Sequence, residues 1–453
     1  MSAVPQVSII EEFLKDPEHS NISFSDVAKA LKSISKSDHE LFEKYIEEIP
    51  NEYLGDIALE LPEKYLKKIL SKLQKEDLVE IVEELDSDDA TDLIQDIEEI
   101  DESKAKEILS SLDEEDQEEI KKLRSYEESQ AGAHMQMELF EANIDEKVAD
   151  AIENLKKLKK SGELDNIHQL FITGTFKKLM FVVPLEELIL FDFNKTFKDQ
   201  IKGREEDFKP IFVRDTDDIE EVAQLFKEHD LSVVAVVNEQ NELIGRITSD
   251  DIYDILEESA TEQIYNLAGV DDEAEEDEDI FEAGKKRGIW LFINLLTAIL
   301  ASIVVKYFDS TIASYVALAV LMPIVASMGG NAGTQTLTVT VRKLALGDID
   351  LQDAKATIKK EVLLSLGNGF LFALVMGLIA YFWFNDSKLG LVIAASMVIN
   401  LLFAGFFGAL IPLVLKRLNI DPAVGSTVIL TTITDVMGFF SFLGLAKIFL
   451  VQS

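Results

Sequence analysis

The chain has 453 residues, of which 43 are Lys or Arg and 84 Asp or Glu, for a formal net charge of −41. It has no cysteine, and its five histidines are scattered, which excludes disulfides, thiolate metal sites and cysteine nucleophiles. The acid is unevenly placed: from Gly288 onward ten basic residues face eight acidic ones, so residues 1–287 carry −43, a field that repels nucleic acid unless cations neutralise it.

Residues 1–130 alternate short helical patterns with capping and turn signals. Leu66, Ile69, Leu70 and Leu73, then Leu78, Ile81, Val82 and Leu85, recur at helical spacing and predict a superhelical stack of short helices. Asp86, Asp88, Asp89, Asp92 and Asp96 are expected on its solvent face. Like charges three and four residues apart destabilise a helix unless cations sit between them, and a merely soluble acidic surface is the plain alternative. No EF-hand spacing occurs.

From residue 208 to 257 the pattern predicts a β-α-β-β-α unit: strands 211–213, 232–237 and 243–248, helices 218–229 and 250–257, and a turn at 238–241. Asp217 and Glu220 suggest a capping box before the first helix. A looser copy spans 145–202, with strands 169–173 and 179–183, so a tandem pair is expected. The acidic run 271–279 reads as a solvated linker or as a cation-sensitive contact.

Five apolar runs then follow, approximately 288–308, 312–341, 361–384, 389–415 and 423–451, each long enough for ~30 Å of hydrocarbon. Basic residues gather on the side of the N-terminal region (Lys285, Lys286, Arg287, Arg342, Lys343, Lys355, Lys359, Lys360, Lys416, Arg417), which places that region in the cytoplasm and the C-terminus outside. The opening MSAVPQVSIIEEF lacks the basic and apolar regions of a signal peptide, so none is expected.

Asp435 lies midway along the fifth run, where a carboxylate costs at least ~2.5 kcal/mol, and with Thr427 and Thr431 it forms one polar stripe. It reads as the lining of an ion pathway, or else as a hydrogen-bond partner of Asn331 or Asn400. In the second run, MPIVASMGGNAGTQ combines Pro323 and three glycines with Asn331, Thr334 and Gln335. Small residues pack helices closely, while amide, hydroxyl and carbonyl oxygens suit a hard cation; both readings stand.

These residues together resemble one family. The tandem β-α-β-β-α pair is similar to CBS domains, and MPIVASMGGNAGTQ with TDVMG resembles the MgtE magnesium transporters, as does SATEQIYNLAGV after the second CBS unit. The resemblance implies a multi-domain membrane protein: an acidic, all-α superhelical N domain (1–130), an α/β CBS pair (131–203 and 204–258), a connecting, plug-like helix (259–287) and a five-helix transmembrane pore domain (288–453). It further implies a homodimer in the lipid bilayer, with Asp435 as pore carboxylate, Asn331, Gly330 and Thr431 beside it, and Asp421 at the cytoplasmic mouth. Asp89, Asp92, Glu220, Asp230, Asp251, Asp254 and Glu262 would sense Mg²⁺, and an adenine nucleotide has a place at the CBS pair.

The expected function is Mg²⁺ uptake down its gradient, closed by Mg²⁺ on the acidic domains. Two Asp435 side chains at a two-fold axis would match the ion's charge, and membrane potential supplies roughly 4.6 kcal/mol per 100 mV for a divalent ion. No P-loop motif occurs, so passive flow is expected rather than ATP-driven transport. The alternative is a cation sensor that signals to a partner and transports nothing; an intramembrane hydrolase lacks a paired acid or a nucleophile with its base.

Overall fold

The computed structural model describes residues 4–161, 164, 167–270 and 280–451, so the acidic run 271–279 lies outside the described residues. The chain divides into two compact units, Met1–Leu256 and Glu257–Ser453.

The first unit opens with nine α-helices among its described residues: α1 (Val4–Phe13), α2 (Phe24–Ser37), α3 (His39–Glu48), α4 (Asn51–Leu59), α5 (Glu63–Lys72), α6 (Lys75–Glu83), α7 (Ser87–Ile100), α8 (Glu102–Leu109) and α9 (Glu114–Leu123). Each is too short to be stable alone, so the shared core that buries Leu31, Ile34, Leu54, Ile57, Leu66, Ile69, Ile81 and Ile94 supplies the stability. Part of the excess acid caps these helices. Asp38 accepts from the Leu41 N–H at 3.1 Å, and Asp101 and Asp113 do the same for α8 and α9.

The remainder of this unit is two three-stranded sheets of the same topology. In the first, β1 (Glu141–Asn143) runs parallel to β2 (Gln169–Thr173), which pairs antiparallel with β3 (Leu179–Pro184). The second repeats this in β4 (Phe212–Arg214), β5 (Val233–Val237) and β6 (Leu243–Thr248), and each middle strand carries a register shift at its last residue pair. Helices α10 (Val148–Ser161), α11 (Leu185–Leu188), α12 (Phe197–Ile201), α13 (Ile219–His229) and α14 (Ser249–Ala268) complete the pair. Phe171, Val233, Ala235 and Leu243 form an apolar cluster that joins the two sheets, which is the tandem architecture the looser repeat predicts.

Two local readings change. The N-cap of α13 is Asp218, whose side chain accepts from the Glu220 N–H at 2.9 Å, while Asp217 turns back to the Arg214 N–H; there is no Asp217–Glu220 box. And α14 runs to Ala268 instead of ending at 257, since its sequence holds no glycine before Gly269, which takes φ +68°. The residues leading into the first sheet, Ala131 and Met135, pack in the core of the second sheet, and Gln136 pairs with Arg246 of β6.

The second unit holds α15 (Ile280–Tyr307), α16 (Asp309–Ser314), α17 (Ala317–Ala345), α18 (Ala354–Phe384), α19 (Ser387–Arg417) and α20 (Ser426–Ala446). Five stretches among the described residues are long and apolar enough to cross a membrane, the five that the hydropathy predicts. The second begins at Ala317 and not at 312, because the chain breaks at Tyr315, which donates to Asp386, the N-cap of α19. The third starts with α18 at Ala354, so Glu361 stands inside a continuous helix and not at its edge.

Pro323 and Pro412 sit inside unbroken helices. The bundle is drawn together by glycine. A Cβ on Gly329 of α17 would lie 2.3 Å from the Asn400 amide nitrogen, and one on Gly438 of α20 would lie 2.9 Å from it, so both glycines form the notch that seats Asn400 of α19. Asn400 is fully buried there and donates to the Val325 carbonyl at 2.8 Å. Gly329→Val or Gly438→Val should therefore cost about 1–3 kcal/mol by overpacking, read as a lowered melting temperature of the detergent-solubilised full chain, with partial recovery when Asn400→Ala is added.

Candidate ion pathway and cation-sensing sites

Asp435 occupies the middle of α20, half-buried, and makes no hydrogen bond or ion pair among the described residues. It bonds neither Asn331 nor Asn400: Asn331 is exposed and approaches Ser327 at 3.4 Å, and Asn400 is committed to Val325. The hydrogen-bond reading of Asp435 is thereby overturned. The threonines of its stripe turn their protons inward, Thr431 to the Thr427 carbonyl at 2.9 Å and Thr427 to the Leu267 carbonyl at 2.7 Å, which leaves their oxygen lone pairs as acceptors.

The glycine motif divides its labour. Gly329 and Gly333 are packing glycines, the latter with Leu430 at 3.1 Å from a built Cβ, whereas a Cβ on half-buried Gly330 would meet nothing within 4 Å. On the same helix Ser327, Asn331, Gln335 and Thr338 form an exposed polar stripe. Such a stripe in a membrane span is stable only against water or another polar surface.

Below this, Asn266 near the end of α14 is buried and its amide donates to Glu262 at 3.3 Å and to Asp421 at 3.0 Å. Two carboxylates placed separately in the sequence analysis, Glu262 as sensor and Asp421 at the mouth, thus share one amide. Asp421 also caps its own loop by accepting from Ala423 N–H at 2.9 Å. Trp290 of α15 lies against Gly425, 3.5 Å from a built Cβ, and against Gly269 at 3.8 Å; both glycines have positive φ. The end of α14 is in this way locked to the loop that opens α20.

In the first unit the structure gathers acid from three segments. Asp88, Asp89 and Asp92 belong to α7, Asp56 to α4, and Asp251 and Asp254 to the first turns of α14. Asp88 is only 6% exposed, and burial followed by the Asp251 charge raises its carboxyl well above the ordinary range; of the expected solvent face Asp92 and Asp96 are exposed, Asp86 and Asp89 half-buried, and Asp88 alone turns inward. Burial and Asp251 push Asp89 up to about 7, with Asp56, Asp86 and Asp92 adding. Asp251 rises to about 6 through burial, opposed by the hydrogen bond from the Thr248 hydroxyl at 2.8 Å. Asp56 rises to about 6, again by burial first.

Glu138 joins them, accepting from Ser87 N–H and hydroxyl at 3.1 Å each. Among the described residues no three His, Asp or Glu side chains converge closely enough to grip an ion by themselves. Glu220 and Asp230 are not drawn together, since they stand at opposite ends of α13, roughly 15 Å apart by helix rise. Asp230 holds the left-handed cap of that helix at φ +50°.

The profile of a divalent cation transporter, MgtE, matches residues 322–445, that of the MgtE intracellular N domain residues 22–129, and that of the CBS domain residues 206–258. The "Magnesium transporter MgtE" of Thermus thermophilus is 32% identical over 336 residues, 72% of this chain and 72% of that protein. The chain belongs to the MgtE family. Proteins of the same name from Enterococcus faecalis (31% over 330 residues, 73% of this chain and 71% of that one) and Bacillus subtilis (29% over 304 residues, 67% and 66%) are similar to it as well.

MgtE proteins are transporters and not enzymes, and the five spans with an intracellular N domain make this one a multi-pass membrane protein with a cytoplasmic N-terminal region. Sequence reading missed Asp56, Glu138 and the inward turn of Asp88. Asp56 carried a faint signal, an acid among the apolar positions Leu54, Ile57 and Ala58, all buried on α4. Glu138 carried none, since its role depends on Ser87, 51 residues away.

Because folding raises these carboxyls, their stabilisation is complete at pH values below the ordinary carboxylate range, near ~4, and is lost as pH climbs through about 6 to 7. In chelator, the first thermal transition of this MgtE protein should fall between pH 5 and 8, and Mg²⁺ should restore it at pH 8 but add little at pH 5. Scanning calorimetry at matched ionic strength measures both.

Proposed function

We propose that the chain conducts Mg²⁺ into the cell, passively, along a pathway that runs past Asp435 on the axis of a homodimer, and that Mg²⁺ on the acidic cytosolic domains closes it. The observation that carries the reading is Asp435 itself: a mid-span carboxylate, half-buried and without a hydrogen-bond partner among the described residues. A charge so placed needs water or a cation, and a second copy would supply both the matching carboxylate and the cover for the polar stripe of α17. The name magnesium transporter on relatives that cover most of this chain supports the choice of ion.

Within this reading Gly330, Asn331 and Thr431 offer oxygens to an ion that keeps most of its water, which suits Mg²⁺ because it dehydrates reluctantly. Asp421, Glu262 and Asn266 form the cytoplasmic mouth. An odd number of spans supports an external C-terminus. Gating follows from the raised carboxyls: without cations Asp88, Asp89 and Asp251 repel one another and favour separation of α7 from α14, whereas bridging Mg²⁺ favours the closed contact. The ion shifts the equilibrium through sites of different affinity in the two states. Asp92 and Asp254 extend this field, and Glu220 and Asp230, too far apart to share an ion within one chain, would act across the dimer.

An adenine nucleotide has room at the CBS pair. A cavity of about 510 Å³ lies between the two sheets, lined by Gly174, Thr175, Lys178, Met180, Phe212 and Asn241. Lys178 and Thr175 would hold phosphate, and Phe212 would face the base.

Reconstitution of the full chain alone in liposomes, with a Mg²⁺ indicator inside, tests the proposal. Wild type should admit Mg²⁺ and slow as Mg²⁺ rises on the cytosolic face. Asp435→Asn removes a charge contact worth about 4 kcal/mol, so influx should drop a hundredfold or more. Asp251→Ala with Asp254→Ala should keep influx but lose the inhibition. Wild-type influx that Asp435→Asn leaves unchanged would refute the pathway, and absence of any flux would favour a sensor without transport.

A further inference from the structure

Packing of the spans strands one polar atom. Among the described residues of the five spans, the side-chain oxygen of Asn400 is the one buried side-chain polar atom without a hydrogen-bond partner. Asn400 stands midway along α19 and is 0% exposed. The other end of its amide donates to the Val325 carbonyl at 2.8 Å, which fixes the orientation of the group. The oxygen therefore looks into the seam between α17 and α20, 2.9 Å from a Cβ built on Gly329 and 3.2 Å from one built on Gly438. Glycine Cα–H groups are weak donors, so the oxygen forgoes the full hydrogen bond it would have in water.

Cohesion of the bundle accounts for the donor end of this amide but not for its oxygen. Val325 lies in an unbroken stretch of α17, where its carbonyl already serves the N–H four residues on, and a leucine at position 400 would fill a similar volume without stranding an acceptor. A buried amide kept at a cost in stability is the device that fixes register between helices whose apolar surfaces could slide, as a single asparagine does in coiled coils. The buried neighbours of Asn400 on α19, among them Ile393, Met397, Leu401 and Ala404, are apolar and specify no unique depth. What the register governs sits beside the notch. Gly329 directly precedes Gly330 and Asn331 on α17, and Gly438 follows Asp435 by three residues on α20, about 4.5 Å along the helix.

We propose that Asn400 is a positioning residue for ion discrimination: it holds α17 and α20 at one spacing and register, and so sets which divalent cation suits the oxygens of Gly330, Asn331 and Asp435. The inference rests on the pathway proposed above. Asn400 acts through the two glycines and touches no ion itself. Mg²⁺ demands near-ideal octahedral geometry, whereas the larger Ca²⁺ accepts longer and more varied oxygen contacts. Loosening the register therefore costs preference for Mg²⁺ before it costs conduction.

Influx of Mg²⁺ and of Ca²⁺ into liposomes that hold the full chain, read beside the melting temperature in detergent, tests this. Asn400→Leu keeps the bulk and removes the amide, while Gly438→Ala keeps the amide and inserts a methyl that would stand 2.9 Å from its nitrogen. Each should raise the Ca²⁺-to-Mg²⁺ influx ratio tenfold or more, and Asn400→Leu should do so with a melting temperature near that of wild type. A residue that served packing alone would give the reverse, a lowered melting temperature at the wild-type ratio. Variants that conduct with an unchanged ratio, or that lose both ions in proportion, would overturn the inference and leave the pathway standing. A wild type that admits neither ion would overturn the pathway and this inference with it. Gly438→Ala decides if Asn400→Leu does not fold, and if neither folds, Asn400 serves folding alone and the inference fails.

Discussion

Negative charge removed from bulk water is the constraint around which this molecule is arranged. A carboxylate at half-burial has three ways to lower its energy: a proton, a hydrogen-bond donor or a cation. Near the membrane the chain supplies few donors. Asp421 and Glu262 receive the Asn266 amide, Asp386 receives the Tyr315 hydroxyl, and Asp435 receives nothing from the described residues. In the first unit Ser87 serves Glu138 and Thr248 serves Asp251, but Asp88 and Asp89 face further acid. A cation is a partner that each of these groups could accept.

In the proposed function the same constraint would join sensing to transport without a special device. An ion that lowered the energy of Asp435 would also suit the carboxylates of α7 and α14, since all offer hard oxygens. Within the second unit, the end of α14 is fixed to the loop before α20 by Asn266, Thr427 and Trp290, so a shift of that helix end bears directly on the helix that carries Asp435. Trp290 can fill that corner because Gly269 and Gly425, both at positive φ, present no side chain to it.

Glycine and asparagine do the structural work that greater hydrophobicity could not. Lipid tails are as apolar as leucine, so close backbone approach and interhelical hydrogen bonds hold the bundle. Asn400 meets both needs, seated between Gly329 and Gly438 with its amide on the Val325 carbonyl. The glycine motif is consequently neither wholly a packing seam nor wholly a lining: Gly329 and Gly333 pack, and Gly330 faces open space.

The sequence by itself determined the elements whose cause is local. Hydropathy over some twenty residues marks a span, alternation marks β5 and β6, and a lone carboxylate in an apolar run marks Asp435, because each signal is written within one segment. It did not determine which acids meet. Asp88 reads as a surface residue until α14 brings Asp251 to it, Glu138 reads as ordinary until Ser87 arrives from 51 residues away, and Glu361 reads as the edge of a span until α18 is seen to start at Ala354. Burial and charge proximity are properties of pairs distant in the chain, and those pairs exist only once the helices have packed.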